Sequence, residues 1–351
     1  MMTSVIHILP LTTIRRERLL PVNGRVIARV DQKVTPLDVV ADANYGQDHL
    51  LIDVASTFGI LASKAQDLIR VTTGQIVAKG QVIAHRAGII PKTLRSPIPG
   101  RVILVGSGRV LLEVGEGTFE LRAEIPGIVT RLIAERGVEI MFNGAFVQGV
   151  WGNGQMGLGL MIPIADKPDE VLTVDRFDVS LRGAVLLAGQ CNDPTTLQAA
   201  SDLPVRGMIL SSLLPNLLPL AMQMGYPIVV VDGFGTRQMN SAAYDLLRTN
   251  AKREATLNAK PIDRFTGMRP EIIIPLPITQ EPASLKETVA VAAGQQVLLS
   301  RAPYAGSIGT ITSLPPGLST IPSGLRVPIA EIKLVSGEKI IVPLANLEVI
   351  G

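Results

Sequence analysis

The stretch Leu94–Val105, LRSPIPGRVILV, decides how the first half of this chain is read. A proline turn and a glycine lead into alternating apolar residues, the pattern of a half-buried strand. Two other segments repeat it: PVNGRVIARVDQKVTPLDVVA from Pro21 and EIPGIVTRLIAERGVEI from Glu124. Gly24, Gly100 and Gly127 hold one place in the pattern, each followed by a valine, Val26, Val102 or Val129. Glycine there permits either positive φ or close approach of another chain segment. A fourth segment, VTTGQIVAKGQVIAHRAG from Val71, carries a second recurring piece, a pair of glycine–glutamine turns.

Taken together, Val71–Val114 resemble a barrel-sandwich hybrid, the fold shared by biotinyl and lipoyl carriers and by insert modules of larger machines. A generic β-barrel with glycine turns is the alternative. The resemblance implies a hairpin between the two pieces that presents one modifiable lysine. Ile89 occupies that place, within HRAGIIPKTLRSP. The nearby Lys92 lacks the E-x-M-K-M or D-K-A surroundings of a modified lysine, and Pro91 argues for a different loop shape. Neither biotin nor lipoate is therefore expected, and no other cofactor is indicated.

The chain has 351 residues, 47% hydrophobic, 18% charged and 3% aromatic, which suits two or three aliphatic-rich globular domains. Its one cysteine, Cys191, excludes an internal disulfide and a cysteine-based zinc site, and points to a reducing, cytoplasmic setting. The N-terminal apolar run is short and its positive charges follow it, so it reads as a strand rather than a signal segment. Gly207–Val231 has no charged residue and is long enough to cross a bilayer, but Pro215, Pro219 and Pro227 cut it into pieces of strand, helix and strand length. A buried βαβ unit is expected, and no membrane span.

The expected architecture is multidomain and mostly β, with a central α/β domain. Residues 1–165 form the β-rich, hybrid-like region and residues 175–265 a three-layer parallel α/β unit. A proline-rich linker at 266–285 leads to a small barrel at 286–351. In the second region strands are expected over Leu181–Ala188, Gly207–Ser211 and Pro227–Val231. Helices are expected from Pro194, over Leu214–Met224 and over Asn240–Asn258. Alternating strands and helices imply parallel pairing, with ligands collecting beyond the strands' carboxyl ends. Asn192, Asp193, Asp232, Gly233, Gly235, Thr236 and Arg237 are the candidate pocket there: the DGFGT loop frees backbone N–H groups and Arg237 could pair with an anion. The competing reading is that Asp232 and Asn240 organise turns and cap a helix. This region also vaguely resembles phosphohistidine-carrying swivelling domains, but the required histidine is missing.

From Gly294 the sequence GQQVLLSRAPYAGSIGTITSL resembles a KOW module, an SH3-like barrel of elongation factors and ribosomal proteins. Val297, Arg301, Tyr304, Gly306, Gly309 and Ile311 carry that resemblance, with Pro343, Asn346 and Leu347 in the closing strands. It implies transcription or translation machinery as the setting. An SH3-like barrel without a nucleic-acid role is the alternative.

Catalytic signatures are lacking. There is no G-x-S-x-G, H-E-x-x-H or P-loop, and three scattered histidines offer no familiar metal motif. The glycines of Trp151–Leu160, WGNGQMGLGL, precede an apolar, proline-broken segment rather than a helix, so close packing explains them better than a nucleotide does. The charge pattern is more telling. No acidic residue lies between Asp67 and Glu113, where Arg70, Lys79, Arg86, Lys92, Arg95, Arg101 and Arg109 all fall. Such a surface attracts phosphates or acidic protein unless carboxylates on neighbouring strands neutralise it. Scarce aromatic residues argue against stacking on single strands. The expected function is a non-catalytic binding or scaffold protein, with a protein, nucleic acid or ribonucleoprotein as partner. A small-molecule sensor or enzyme at the DGFGT loop and a self-assembling structural protein, which would be a homo-oligomer, are the alternatives.

Overall fold

The three recurring glycines show how the first half is built. A Cβ at Gly24 would lie 2.2 Å from the Asp42 carbonyl oxygen, at Gly100 2.5 Å from that of Glu113, and at Gly127 2.3 Å from that of Met141. Close approach, not positive φ, is therefore what demands glycine. Gly100 and Gly127 each open a strand, Gly100–Gly106 or Gly127–Ile133, that pairs with a two-residue strand through Gly100↔Val77 or Gly127↔Val34. Two turns frame each short strand. In one module the side chains of Gln32 and Asp38 accept hydrogen bonds from the Arg29 and Thr35 amides, and in the other Gln75 and Gln81 accept from Thr72 and Ala78. In both modules a hairpin follows: Val39–Asn44 with Thr118–Arg122, and Val82–Arg86 with Lys92–Arg95. The two modules share one plan and are nested, because the whole second module sits between the two strands of the first module's hairpin.

The computed structural model describes residues 2–44, 48–88, 91–114, 118–263, 267–277 and 288–351. The fold is mostly β, 45% strand and 14% helix, with a sheet curled into a half-barrel. Each module has its own core. Val34, Val40, Val129, Ile140, Phe142 and Phe146 fill the first, and Ile52, Phe58, Val77, Ile83, Val102 and Leu112 the second. Each such side chain contributes about 1.5–3 kcal/mol on leaving water.

The twelve-residue strand Gly137–Gln148 ties the outer module to the rest. It pairs with Ile8–Leu19, Gly127–Ile133 and Glu271–Pro275, and the sheet continues through Glu254–Asn258 and Met156–Pro163 into the parallel strands Ala184–Leu187, Gly207–Leu210 and Ile228–Val230. The boundary expected between residues 165 and 175 thus runs through one continuous sheet. The expected strand–helix–strand reading of Gly207–Val231 holds: a 3-10 turn at Pro215–Leu217 and the helix Leu218–Ala221 separate the two parallel strands. No helix among the described residues is long and apolar enough to cross a membrane. Both faces of the parallel strands are covered, which explains their uninterrupted apolar sequence. Leu186, Met208 and Ile228 meet Leu197 and Ala221 on one face, while Val185, Ile209 and Val229 meet Ala243 and Leu247 on the other.

Three readings are corrected. The helix expected over Asn240–Asn258 stops at Thr249, and Lys252, at φ 62°, turns the chain into the strand Glu254–Asn258. The expected linker at 266–285 contains the strand Glu271–Pro275, whose Ile272, Ile273 and Ile274 are buried between partners on both sides; residues 278–287 lie outside the described residues. The N-terminus supplies two strands. Met2–Ile6 joins the C-terminal sheet, parallel to Leu347–Ile350 and antiparallel to Thr288–Ala290, and Ile8–Leu19 joins the long sheet. In the C-terminal sheet Val297, Ile311, Ile332, Val342 and Val349 form a separate core.

Glycine packing in Trp151–Leu160 follows the expectation. A Cβ at Gly152 would fall 2.3 Å from the Ala259 carbonyl oxygen, and at Gly157 2.1 Å from that of Arg206.

Candidate functional site

The parallel strands end at the loops singled out as a pocket, and their polar groups are largely committed to one another. Asp232, buried after the strand Ile228–Val230, accepts hydrogen bonds from the Asn240 amide at 2.9 Å and its Nδ2 at 3.0 Å. Asn240 Oδ1 in turn accepts from the Ala243 amide at 2.9 Å and caps the helix Ser241–Thr249. Burial pushes the Asp232 carboxyl up to about 6, against the opposing pull of the Asn240 hydrogen bonds and the Arg237 charge. Gly233 and Gly235 adopt φ of 112° and 93°, which lets the loop fold back so that the Gly235 amide reaches the Leu213 carbonyl at 3.0 Å. Arg237 is held by its backbone, with Ser212 Oγ 3.0 Å from both its amide and its carbonyl, while Thr236 is exposed.

On the first loop, Asp193 accepts from the Thr195 amide at 2.9 Å and caps the helix Pro194–Asp202; that hydrogen bond holds its carboxyl below the usual range. Burial pushes the Cys191 thiol up, although Thr196 Oγ1 lies 3.3 Å away, so it is not an activated nucleophile. Asn192 Oδ1 and Ser211 Oγ are buried without a hydrogen-bond partner among the described residues.

A segment not singled out in the sequence closes over these loops. The Gln190 amide donates to the Glu170 carbonyl and the Leu172 amide to that of Gln190, both at 2.8 Å, and the Met239 amide donates to the Pro168 carbonyl at 2.9 Å. Arg176 pairs with Glu170 and Asp166, and Arg248 with Asp166. The sequence signal was the run Asp166–Glu170, four charges around a proline directly after an apolar strand.

The seven cations of the inserted module divide. Arg101 stands opposite Glu113 and pairs with it at 2.7 Å, and Arg109 stands opposite Asp53 at 2.9 Å. Neighbouring strands therefore neutralise these two. Arg70, Lys79, Arg86, Lys92 and Arg95 are exposed and form no ion pair among the described residues; Arg95 donates to the Gly80 carbonyl at 2.9 Å. Arg86 and Lys92 face each other directly across the hairpin, a like-charged arrangement that opposes pairing of its strands. Ile89, where the carrier lysine was sought, lies outside the described residues.

In the C-terminal sheet Arg301 is exposed, and Tyr304 donates to Glu338 Oε1 at 3.3 Å. Gly306 takes φ 84°, and a Cβ at Gly309 would lie 2.4 Å from Ile332 Cγ2. Among the described residues no group of three His, Cys, Asp or Glu side chains is placed to hold a metal. No protein-family model and no curated protein matches the sequence.

Proposed function

We propose that the protein is a non-catalytic, multidomain binding or scaffold protein that offers the cationic hairpin of its inserted module to a polyanionic partner. The observation that carries this reading is the pair Arg86 and Lys92, directly opposed and without a carboxylate partner among the described residues; Arg70, Lys79 and Arg95 of the same module likewise form no ion pair there. Such an arrangement costs strand stability and is relieved when an anion bridges the two charges. On this reading the inserted module is a barrel-sandwich hybrid without its carrier lysine, and the C-terminal sheet an SH3-like, KOW-type barrel. The partner is then a ribonucleoprotein of the transcription or translation machinery in the cytoplasm. Phosphates rather than bases are the contact, because the hairpin strands carry no Phe, Tyr or Trp.

Fluorescence anisotropy with mixed-sequence RNA and DNA across a salt series tests this. Five cations predict that the logarithm of the binding constant falls with that of salt at a slope of about −3 to −5. Absence of binding at the lowest salt removes the nucleic-acid reading.

A second reading, a small-molecule sensor or enzyme at the strand ends, draws support from Asn192 Oδ1 and Ser211 Oγ, both buried without a hydrogen-bond partner among the described residues. A thermal-shift screen of nucleotides and acidic metabolites decides it: a binding ligand raises the melting temperature, and a flat screen removes the reading.

A further inference from the structure

The outer face of the inserted module's four-stranded sheet has an order that its hairpin does not explain. The strands lie as Asp48–Asp53, Arg109–Val114, Gly100–Gly106 and Ile76–Val77. Val110, Leu112, Ile52 and Val102 point into the core. The alternate residues therefore form the opposite face, where strand register arranges them in rows. Leu51, Leu111 and Leu104 make the central row, with Leu51 56% and Leu104 60% exposed. On one side lies the row Asp53–Arg109, on the other His49–Glu113–Arg101, ending at Ile76, which is 79% exposed. An apolar stripe between two ion-paired borders has the anatomy of an interface, with a dry centre and a polar rim.

The arrangement of charges selects what covers it. Let a second copy stack face to face on this sheet about a two-fold axis running along the leucine row. That operation reverses strand direction and keeps each strand over its own counterpart. Leucine then meets leucine. Arg109 lies over Glu113 of the second copy and Glu113 over Arg109 of the second copy, while Asp53 faces His49 of the second copy. The alternative axis, along the strands, places Arg109 over Arg109 and Glu113 over Glu113, which repel. Each copy's rim is nearly neutral through its own ion pairs, so no strongly charged partner suits this face. We infer that the leucine face is a self-complementary surface that pairs two copies of this chain, sheet on sheet, about the axis along Leu51, Leu111 and Leu104. The face is only four strands wide, so the dimer forms with rising concentration rather than permanently. This inference is independent of the cationic hairpin.

Sedimentation velocity of the full chain, from about 2 µM to about 400 µM, reads it out. The wild type is expected to pass from monomer to dimer over that range. Leu104→Glu, at an exposed position outside the core, is expected to weaken association at least about tenfold with an unchanged melting temperature. Arg109→Glu and Glu113→Arg each set like charges against each other across the two-fold and are expected to be monomeric alone. An equal mixture of these two variants restores both cross-copy pairs and with them the dimer. Arg86→Glu/Lys92→Glu is expected to dimerise as the wild type does. A wild type that stays monomeric throughout, a Leu104→Glu protein that associates equally well, or single variants that fail to recover on mixing overturns the inference. Should either charge variant not fold, the Leu104→Glu comparison decides alone.

Discussion

His7 sits at the single position between the strand Met2–Ile6 of the C-terminal sheet and the strand Ile8–Leu19 of the long sheet. Its amide donates to Gln148 Oε1 at 3.2 Å, its carbonyl accepts from the Gln148 amide at 2.8 Å, and its ring lies 6.1 Å from that of Phe146. Burial, with Arg269 and Arg16 nearby, pushes the imidazole from an ordinary 6.5 down to about 4. Glu348 and Glu271 balance those arginines, paired with Arg269 and Arg16 respectively. Between these two pH values the unfolded chain binds a proton that the folded chain refuses. Stability therefore falls as pH drops from about 6.5 to about 4, by about 3 kcal/mol. Asp232 works in the opposite direction. Raised from 3.8 to about 6, its folded carboxyl holds a proton that the unfolded chain has lost, so stability rises by about 3 kcal/mol as pH falls across that window. The two nearly cancel in the wild type between pH 6 and 4. His7→Gln unmasks Asp232, and Asp232→Asn unmasks His7. Urea unfolding followed by circular dichroism at pH 4, 5, 6 and 7 measures the difference from wild type, in which every other titrating group is common. The stability gap between wild type and His7→Gln should shift by about 3 kcal/mol in favour of the variant from pH 7 to pH 4. A gap that stays constant with pH refutes the reasoning.

The remaining predictions concern packing and the buried ion pair. Gly100→Ala and Gly127→Ala drive a methyl group into a backbone carbonyl 2.5 Å and 2.3 Å away, and should each cost at least about 2 kcal/mol by denaturant titration. Gly88→Ala, with nothing within 4 Å, should change stability by less than about 0.5 kcal/mol; equal effects at all three positions would discard the close-approach account. Glu271, 2% exposed, holds Arg16 through two hydrogen bonds at 2.6 and 2.5 Å. Glu271→Ala should cost about 3–5 kcal/mol, and the double variant with Arg16→Ala less than the sum of the singles, whereas additive losses would show the pair uncoupled.

The local chemistry was legible in the sequence, and the long-range pairing was not. The glycine–valine motif marked Gly24, Gly100 and Gly127 as special, and only the partner strands show that carbonyl oxygens crowd all three. Prolines correctly divided Gly207–Val231 into strand, helix and strand. They misled at Glu271–Pro275, where three consecutive isoleucines outweigh the flanking prolines and form a central strand. REATLN has ordinary helix propensity, and tertiary pairing with Met156–Pro163 overrides it. Nesting of one module inside another leaves no local trace, because its evidence is the pairing of Val39–Asn44 with Thr118–Arg122 across the insert. The same limit applied to charge. The acid-free run looked uniformly cationic, yet register sets Arg101 against Glu113 and Arg109 against Asp53, and leaves the hairpin pair, with Arg70, Lys79 and Arg95, without an ion pair among the described residues.

A second pair of exposed like charges stands opposed in the C-terminal sheet, Lys333 against Lys339. Both pairs present the same charge on the same geometry, which makes them a matched comparison. The most direct measurement of the central claim is anisotropy of a labelled mixed-sequence RNA with Arg86→Glu/Lys92→Glu and with Lys333→Glu/Lys339→Glu at one low salt concentration. The account predicts that reversal of the hairpin pair weakens binding by about tenfold or more, while reversal of the C-terminal pair changes it by less than about threefold. Loss of binding only on reversal of the C-terminal pair would contradict it.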